Sequence, residues 1–130
     1  MKKGFTLLEL ITVVMIVAIL AIIAVPQFFR VAERARASEG VNALGIIRSA
    51  QLRYYGENSA NYTNVVAELD VDLPATYRHF AAPVVTAVQA SMLRSGAGGS
   101  IGAYTLTVNY DSGDISCSGG AANTCTKLNL

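Results

Sequence analysis

The chain has 130 residues, of which 52% are hydrophobic and only 15% are charged, and its formal net charge is +1. This length suits one domain of ordinary size with an additional long helix. The near-neutral charge and the lack of a polybasic stretch argue against nucleic acid as the main partner. A single histidine, without a His-Glu-x-x-His motif or a serine elbow, argues against an enzyme, and we expect no cofactor.

The N-terminus combines a short polar leader with a long apolar run. The leader, residues 1–4, contains Lys2 and Lys3, and the stretch 5–29 that follows has one charged side chain, Glu9. As a helix this stretch is about 37 Å long at ~1.5 Å per residue, enough to cross a hydrocarbon core of about 30 Å. The sequence therefore predicts a transmembrane or filament-core helix over 5–29.

Glu9 is an ionised carboxylate in an apolar helix, where a charge is costly and usually has a partner. No basic side chain lies nearby in the helix. A cut after Gly4 creates a partner, because the new amine of Phe5 lies one turn from Glu9 on the same face. Within one chain this pair interacts weakly, whereas parallel chains offset along their axes bring the amine of one to the carboxylate of another. We predict that Glu9 joins copies in this way.

The leader junction resembles the class III signal of type IV prepilins and type II secretion pseudopilins, and the matching residues are Gly4-Phe5-Thr6-Leu7-Leu8-Glu9. The resemblance is sharp over residues 1–30, which include Pro26, and looser to about residue 75. It implies that a prepilin peptidase cleaves after Gly4 and methylates the amine of Phe5. It also implies assembly through Phe5, Glu9 and Pro26. The chain departs from many members at Ala18, where they carry a helix-weakening glycine.

Two simpler interpretations of the N-terminus remain open. A secretory signal peptide has an apolar core of ~7–15 residues and then a small-residue cleavage site. Ala24 offers such a site, although the apolar run continues past it and contains an acid. A plain signal anchor is oriented by its flanking cations. The cations at Arg30, Arg34 and Arg36 outnumber the two leader lysines and favour the reverse orientation.

The segment 30–55 has helical spacing and forms, in this interpretation, the spine of a globular head over 30–130. Pro26 kinks the helix rather than ending it, so that one bent helix of about 50 residues results. Charged residues fall mainly on other faces, which makes this half amphipathic. The residues predicted to form its apolar face are Val31, Ala35, Val41, Leu44, Ile47, Gln51, Leu52 and Tyr55.

The segment 56–83 is predicted to be a loop region, with a helical turn near Val65 to Leu69 and a break before Pro74. Asn61-Tyr62-Thr63 matches the N-glycosylation pattern, although a polar loop explains it equally simply. Asp70 and Asp72 are candidate cation ligands or a solvated acidic turn.

The segment 84–130 is predicted to be rich in strands. Val84–Gln89 suits a strand, with a helix over 84–94 as the alternative, and Ser95–Ser100 is a flexible connection. Residues 103–110 alternate cleanly, and Asp111–Asp114 is a hairpin turn before a return strand. The fold class is therefore α+β, a long N-terminal helix packed against a small antiparallel sheet, and the resemblance implies the type IV pilin fold.

Metal sites are poorly supported by the sequence. By resemblance to some pseudopilins, Asp111 and Asp114 are candidate calcium ligands, but two carboxylates fall short of the six to eight oxygens that calcium takes. Cys117 and Cys125 make a poor zinc site without a second pair, and His79 is better explained as a loop or core residue. We predict no metal.

Cys117 and Cys125 enclose seven residues of a flexible sequence. In an exported chain this pair is expected to close as a disulfide and to contribute roughly 2–3 kcal/mol. The resemblance implies the same, because many type IV pilins close their C-terminal region with one disulfide.

The function implied by the resemblance is that of a structural subunit of a type IV pilus. The precursor is stored in the inner membrane, and an assembly platform and ATPase motor polymerise it into an extracellular homo-oligomeric filament for motility, adhesion or DNA uptake. Removal of the leader leaves eight basic against nine acidic residues, which suits close packing of copies. The alternatives are a type II secretion pseudopilin and a membrane-anchored adhesin or binding module that does not polymerise.

Overall fold

The computed structural model describes residues 4–94, 102–120 and 124–128. The elements in chain order are helix α1 (Leu7–Glu57), a 3-10 helix (Val66–Glu68), strands β1 (Val84–Val85), β2 (Gln89–Arg94), β3 (Tyr104–Asn109) and β4 (Ile115–Gly119), and helix α2 (Thr124–Leu128). A long helix packed against an antiparallel sheet confirms the predicted α+β class. The chain divides into two compact units, residues 1–33 and 34–130, and the sheet belongs to the second.

Helix α1 runs without interruption over 51 residues, which confirms the prediction of one helix of about 50 residues. Pro26 lies inside it. Proline lacks the N–H that would bond to the carbonyl four residues earlier, so the helix continues there with one hydrogen bond fewer. The bend that the sequence predicts at Pro26 stays a prediction.

The C-terminal end of α1 is closed by a tight turn. The backbone N–H groups of Asn58 and Ala60 donate to the carbonyls of Tyr54 and Tyr55 at 2.9 and 3.1 Å. Ala60 and the preceding Ser59 have φ angles of 60° and 53°, in the left-handed region that ends helices. The helix therefore stops within two residues of the predicted end at Tyr55.

The buried face of α1 agrees with the predicted one only in part. Leu44, Ile47 and Gln51 are fully buried, as predicted. Most of the other buried residues of α1 are small ones, which the prediction from large apolar side chains overlooked: Ala37, Gly40, Ala43 and Ala50. Glu33 is buried as well, although it is charged. The predicted members that are exposed instead are Val31, Ala35, Leu52 and Tyr55. Small side chains let the rest of the head approach the helix backbone. The buried face is therefore centred on these small residues and not on the predicted line of large apolar ones.

The four strands form one antiparallel sheet in the order β1-β2-β3-β4. Strand β3 confirms the predicted alternation, because the residues on one of its faces are at most 1% exposed and those on the other are partly exposed. The buried set is Tyr104, Leu106, Val108 and Tyr110. These side chains form a common core with Leu44, Ile47 and Phe80, so that the inner face of the sheet packs on α1.

Residues 84–94 form a hairpin, so the predictions of one strand over Val84–Gln89 and of a helix over 84–94 are both wrong. Strand β1 pairs with β2, with Val85 opposite Ala90. Thr86 forms the turn between them: its hydroxyl donates to the carbonyl of Gln89 at 2.8 Å and accepts from the N–H of Gln89 at 3.1 Å. Thr86, although a residue type that favours strands, therefore closes a turn here.

The turn Asp111–Asp114 between β3 and β4 is confirmed. Asn109 Oδ1 accepts hydrogen bonds from the backbone N–H groups of Asp111 and Ser112 at 2.9 and 3.1 Å. Gly113 has φ +78°, and a Cβ there would lie 2.8 Å from the guanidinium carbon of Arg48. The positive φ favours glycine at this position, and the Arg48 guanidinium packs where a Cβ would otherwise lie.

The predicted helical turn in the loop region is confirmed as the 3-10 helix Val66–Glu68. The loop also supplies core residues, since Leu69 and Phe80 are both buried. The Phe80 ring packs directly on the helix at Gly40, where an added Cβ would lie 2.9 Å from its Cζ atom. Gly40 is therefore a packing residue and not merely a weak point in the helix.

Helix α2 was not predicted, so the strand-rich segment 84–130 ends in a short helix. Its five residues are too few to show a helical period in the sequence. The connection predicted over Ser95–Ser100 lies outside the described residues.

Candidate processing and assembly segment

Helix α1 begins with a reciprocal side-chain cap just after the Gly4–Phe5 junction. Residues 4–6 are not helical, and Leu7 is the first helical residue. The Thr6 hydroxyl accepts from the backbone N–H of Glu9 at 3.2 Å, and Glu9 Oε2 accepts from the backbone N–H of Thr6 at 2.9 Å. This capping box satisfies two of the backbone donors that every helix start leaves unpaired. The junction is thereby kept outside the helix.

Glu9 therefore has a partner within its own chain, which the sequence-based prediction missed. The Thr6 hydroxyl donates to the same Oε2 atom at 2.7 Å, so this oxygen receives two hydrogen bonds from one residue. The prediction from sequence considered only cations as partners for the Glu9 carboxylate. The sequence nevertheless contains a local signal for this contact, because Thr-x-x-Glu before an apolar run is the capping-box pattern.

The apolar side chains of α1 in the first unit are exposed, including Leu8 at 76% and Ile22 at 75%. The most apolar 18-residue window of the helix has a mean hydropathy of 3.0, and none of it is buried. By length and composition the helix can cross a membrane, a test that an N-terminal signal sequence also passes. An apolar surface of this extent needs lipid or protein to cover it.

The structure joins Cys117 and Cys125 in a disulfide, with the two Cα atoms 5.5 Å apart. The bond confirms the pairing expected from the sequence and ties α2 to β4, the edge strand of the sheet. Cys117 also packs against the core of the head. The bridge therefore anchors the C-terminal segment to the sheet.

Of the residues considered as metal ligands, Asp111 is engaged through its side chain and His79 through its backbone. Asp111 Oδ1 accepts the hydroxyl of Tyr62 at 2.7 Å. The backbone N–H of His79 donates to Glu39 Oε2 at 2.9 Å, and its carbonyl accepts from Arg94 at 3.2 Å. In the part of the chain that the structure describes, no group of three or more His, Cys, Asp or Glu side chains gathers into a metal site.

Asp70 and Asn61 also stabilise the loop. Arg53 donates to the carbonyl of Asp70 at 2.6 Å, and its Nε lies 4.0 Å from the carboxylate. The Asn61 side-chain amide donates to the carbonyls of Asn58 and Ser59 at 3.3 and 3.2 Å. An amide nitrogen used in this way favours the polar-loop interpretation of Asn61 over a glycan acceptor.

Three tyrosine rings connect the loop after α1 to the core. The ring of Tyr62 lies between those of Tyr55 and Tyr110, with centroid distances of 4.6 and 5.0 Å. Its hydrogen bond to the Asp111 carboxylate, followed by burial and by the negative charge of Asp111, raises the pKa of Tyr62 to about 12. The neutral hydroxyl is therefore the form that the fold stabilises.

The comparisons with known proteins identify the N-terminal segment. Residues 1–25 match the family described as the prokaryotic N-terminal methylation motif. Comparison with curated proteins finds no match, and comparison with solved structures finds none either.

The methylation motif is the class III signal of type IV pilins and pseudopilins, and here it leads into a long helix followed by an antiparallel sheet. These features support a pilin- or pseudopilin-like precursor. The motif belongs to structural subunits rather than to an enzyme family. It implies processing by a prepilin peptidase and anchoring of the precursor in the membrane.

Proposed function

We propose that the chain is the structural subunit of a type IV pilus, cleaved after Gly4, methylated at the amine of Phe5 and polymerised through α1. The observation that carries the proposal is the methylation motif at the head of a helix whose most apolar 18-residue window is entirely exposed. Lipid of the inner membrane covers this surface before assembly, and other copies of the helix cover it in the filament. The heads are displayed on the cell surface.

Assembly of this kind gains little from the hydrophobic effect, because lipid tails are as apolar as the helices that replace them. Close packing and the pairing of polar groups therefore decide whether a subunit joins. The resemblance implies the proposed partners: the peptidase exposes the amine of Phe5, and the assembly platform and its ATPase motor supply the work of extraction. The proposed uses are motility, adhesion and DNA uptake.

The outward face of α1 in the head supports the proposal. Between the exposed Arg36 and Arg53, this face carries uncharged polar residues and a glycine, which are Ser38, Asn42, Gly45 and Ser49. An added Cβ on Gly45 would meet nothing within 4 Å. Glycine in a helix interior costs ~1 kcal/mol relative to alanine. No close contact within this chain compensates for that cost at Gly45. A closely packed neighbouring copy is a reason to keep it.

The test is electron microscopy of cells that express the chain, combined with mass spectrometry of the protein from sheared fibres. We expect long fibres built from a chain that starts at a methylated Phe5. A leucine in place of Gly4, and a strain without the peptidase as its matched control, should both retain uncut precursor in the membrane and make no fibres. Short pseudopili indicate a secretion pseudopilin, and correct processing without any polymer indicates a membrane-anchored binding module.

A further inference from the structure

We propose that Tyr62 is a one-electron oxidation site, at which Asp111 takes the phenolic proton and the oxidised ring then bonds covalently to Tyr55. The product is a dityrosine bond between the last turn of α1 and the loop that follows the helix. The oxidant is hydrogen peroxide, reduced through a peroxidase in one-electron steps. The site lies in the head and requires neither cleavage after Gly4 nor polymerisation.

The hydroxyl of Tyr62 donates to a carboxylate that can accept its proton. The phenolic oxygen lies 2.7 Å from Asp111 Oδ1, the separation of a charge-assisted hydrogen bond. This bond is the main reason why the pKa of Tyr62 is raised to about 12. Tyr62 therefore stays protonated at neutral pH, and an electron leaves its ring only if the proton leaves as well. The Asp111 carboxylate is in place to receive that proton.

The ring of Tyr55 supplies both access to the oxidant and a partner for coupling. Tyr55 is 38% exposed. Its ring centre lies 4.6 Å from that of Tyr62, and the two ring planes are tilted by 32°. Because rings at this distance are in contact, an electron lost from one can be replaced from the other. Helix α1 ends at Glu57, between the two tyrosines, so a bond between their rings closes a short loop.

Two electrons and two protons leave the pair in this reaction. The first equivalent of oxidant takes an electron from Tyr62 while the hydroxyl proton passes to Asp111, which leaves a neutral phenoxyl radical and a neutral carboxyl group. The second equivalent takes an electron from Tyr55, whose hydroxyl proton goes to water.

The two radicals then join through a carbon–carbon bond between ring atoms ortho to their oxygens. The hydrogen on each of these carbons moves to the oxygen of its own ring, which restores both aromatic systems. Asp111 is exposed and returns its proton to solvent. One hydrogen peroxide takes up the two electrons and two protons and becomes two molecules of water.

Two other tyrosines each have only one of the two features of this site. Tyr54 donates to Glu68 Oε2 at 3.2 Å, but its ring contacts no second aromatic ring in the described part of the chain. Tyr110 contacts the ring of Tyr62 at 5.0 Å, but it is fully buried and its hydroxyl accepts a hydrogen bond from Gln51. Tyr54 is therefore the internal comparison for the ring contact, and Tyr110 is the comparison for the carboxylate.

The first experiment treats the full chain, dilute and in detergent micelles, with hydrogen peroxide and a peroxidase. A glutamate-specific protease then cuts at Glu57, so that a bond between Tyr55 and Tyr62 holds two peptides together, and mass spectrometry detects the pair with two hydrogens missing. Tyr62→Phe should abolish this product, and Tyr54→Phe, the matched control, should leave it unchanged. Crosslinks only between different copies, or the same yield of crosslinked peptides from Tyr62→Phe, overturn the proposal.

The second experiment tests Asp111 as the proton acceptor. Asp111→Asn keeps an oxygen that can accept the hydroxyl of Tyr62 but is a far weaker base, so crosslinking should slow by at least about tenfold. Asp111→Glu restores a carboxylate in this exposed turn and should recover part of the rate, which a purely structural defect would not predict. Asp114→Asn removes the other carboxylate of the turn and should crosslink at the unmodified rate. Equal rates in Asp111→Asn and the unmodified chain overturn the proposal.

The third experiment uses the unmodified chain and so does not depend on how well any variant folds. With less than one equivalent of peroxide, a nitroso spin trap is added and the labelled tyrosines are identified by mass spectrometry. The label should fall on Tyr55 and Tyr62 in preference to Tyr54. Equal or greater labelling of Tyr54 would show that the ring contact and the short bond to Asp111 do not select the site, and would overturn the proposal.

Discussion

Gln51 forms two hydrogen bonds with the backbone of Thr63, one in each direction. Its Nε2 donates to the Thr63 carbonyl at 2.7 Å, and the Thr63 N–H donates to its Oε1 at 3.1 Å. Both residues are buried. The side-chain amide thus takes the place of a neighbouring strand and lets the loop after α1 lie over the core without unpaired backbone groups.

Replacing Gln51 with leucine should destabilise the head substantially. Leucine has a similar size but leaves the N–H and the carbonyl of Thr63 buried and unpaired, at a cost of ~1–3 kcal/mol for each group. We expect the free energy of unfolding to fall by about 2–4 kcal/mol, measured by denaturant titration of the full chain in detergent. Leu52→Ala, at the exposed neighbouring position, is the control and should change stability far less. Similar small effects of both substitutions would contradict this account.

Tyr77 and Tyr62 should respond in opposite directions to the removal of their hydroxyl groups. Among the described residues, the buried Tyr77 hydroxyl has no hydrogen-bond partner, so Tyr77→Phe should raise the free energy of unfolding by ~1 kcal/mol or leave it unchanged. Tyr62→Phe loses the 2.7 Å bond to Asp111 and should lower the free energy of unfolding by about 1 kcal/mol. Thermal unfolding of the two variants side by side is the measurement. A loss of stability in Tyr77→Phe would indicate a partner for that hydroxyl.

The stability of the head should fall as the pH rises from about 10 to about 12. The pKa of Tyr62 is raised from its usual 10.0 to about 12, chiefly by its hydrogen bond to Asp111. A group whose folded-state pKa is raised contributes stability that is fully present below the unfolded pKa and is lost as the pH rises through the folded one. Tyr62→Phe should therefore show a shallower decline over this range. The same slope in both proteins would show that Tyr62 is not responsible.

Gly40 and Gly45 form a matched pair on opposite faces of one helix. Gly40→Ala places a methyl group 2.9 Å from the Phe80 ring and 3.1 Å from Leu106, and such overpacking typically costs ~1–3 kcal/mol. Gly45→Ala has open space around it and should stabilise the head by up to ~1 kcal/mol through helix propensity. Denaturation measures both effects. If copies pack closely at Gly45, the stabilised variant should also yield fewer fibres, whereas an unchanged yield would remove that support for polymerisation.

The sequence predicted those features whose signals are local and periodic. The alternation of β3 and the unbroken helical period of α1 depend on neighbouring residues alone. The role of Gly40 depends on Phe80, 40 residues away, and the role of Gln51 on a loop whose path follows from packing, so neither was visible in a sequence pattern. Thr86 was misassigned because strand propensity and turn closure favour the same residue type. The Thr6–Glu9 cap was missed despite a local signal.

Glu9→Gln should leave folding and membrane insertion intact while suppressing fibres. Glutamine can keep the capping box of Thr6, so helix α1 should start at the same residue, and removal of a charge makes insertion as good or better. The ammonium of Phe5 then has no counter-charge when the filament encloses it. Removing one partner of a buried ion pair is strongly destabilising because it strands the other charge.

The penalty in Glu9→Gln recurs at every added subunit, so the fibre yield should fall at least about tenfold while processed protein accumulates in the membrane. Cell fractionation and electron microscopy measure the two pools. Glu9→Ala removes both the cap and the charge and serves as the comparison. Equal losses in both variants assign the effect to the charge, because only one of them lacks the cap. Normal fibres from Glu9→Gln beside a defect in Glu9→Ala would assign it to the cap, and the carboxylate would then serve the helix start rather than the neutralisation of the amine.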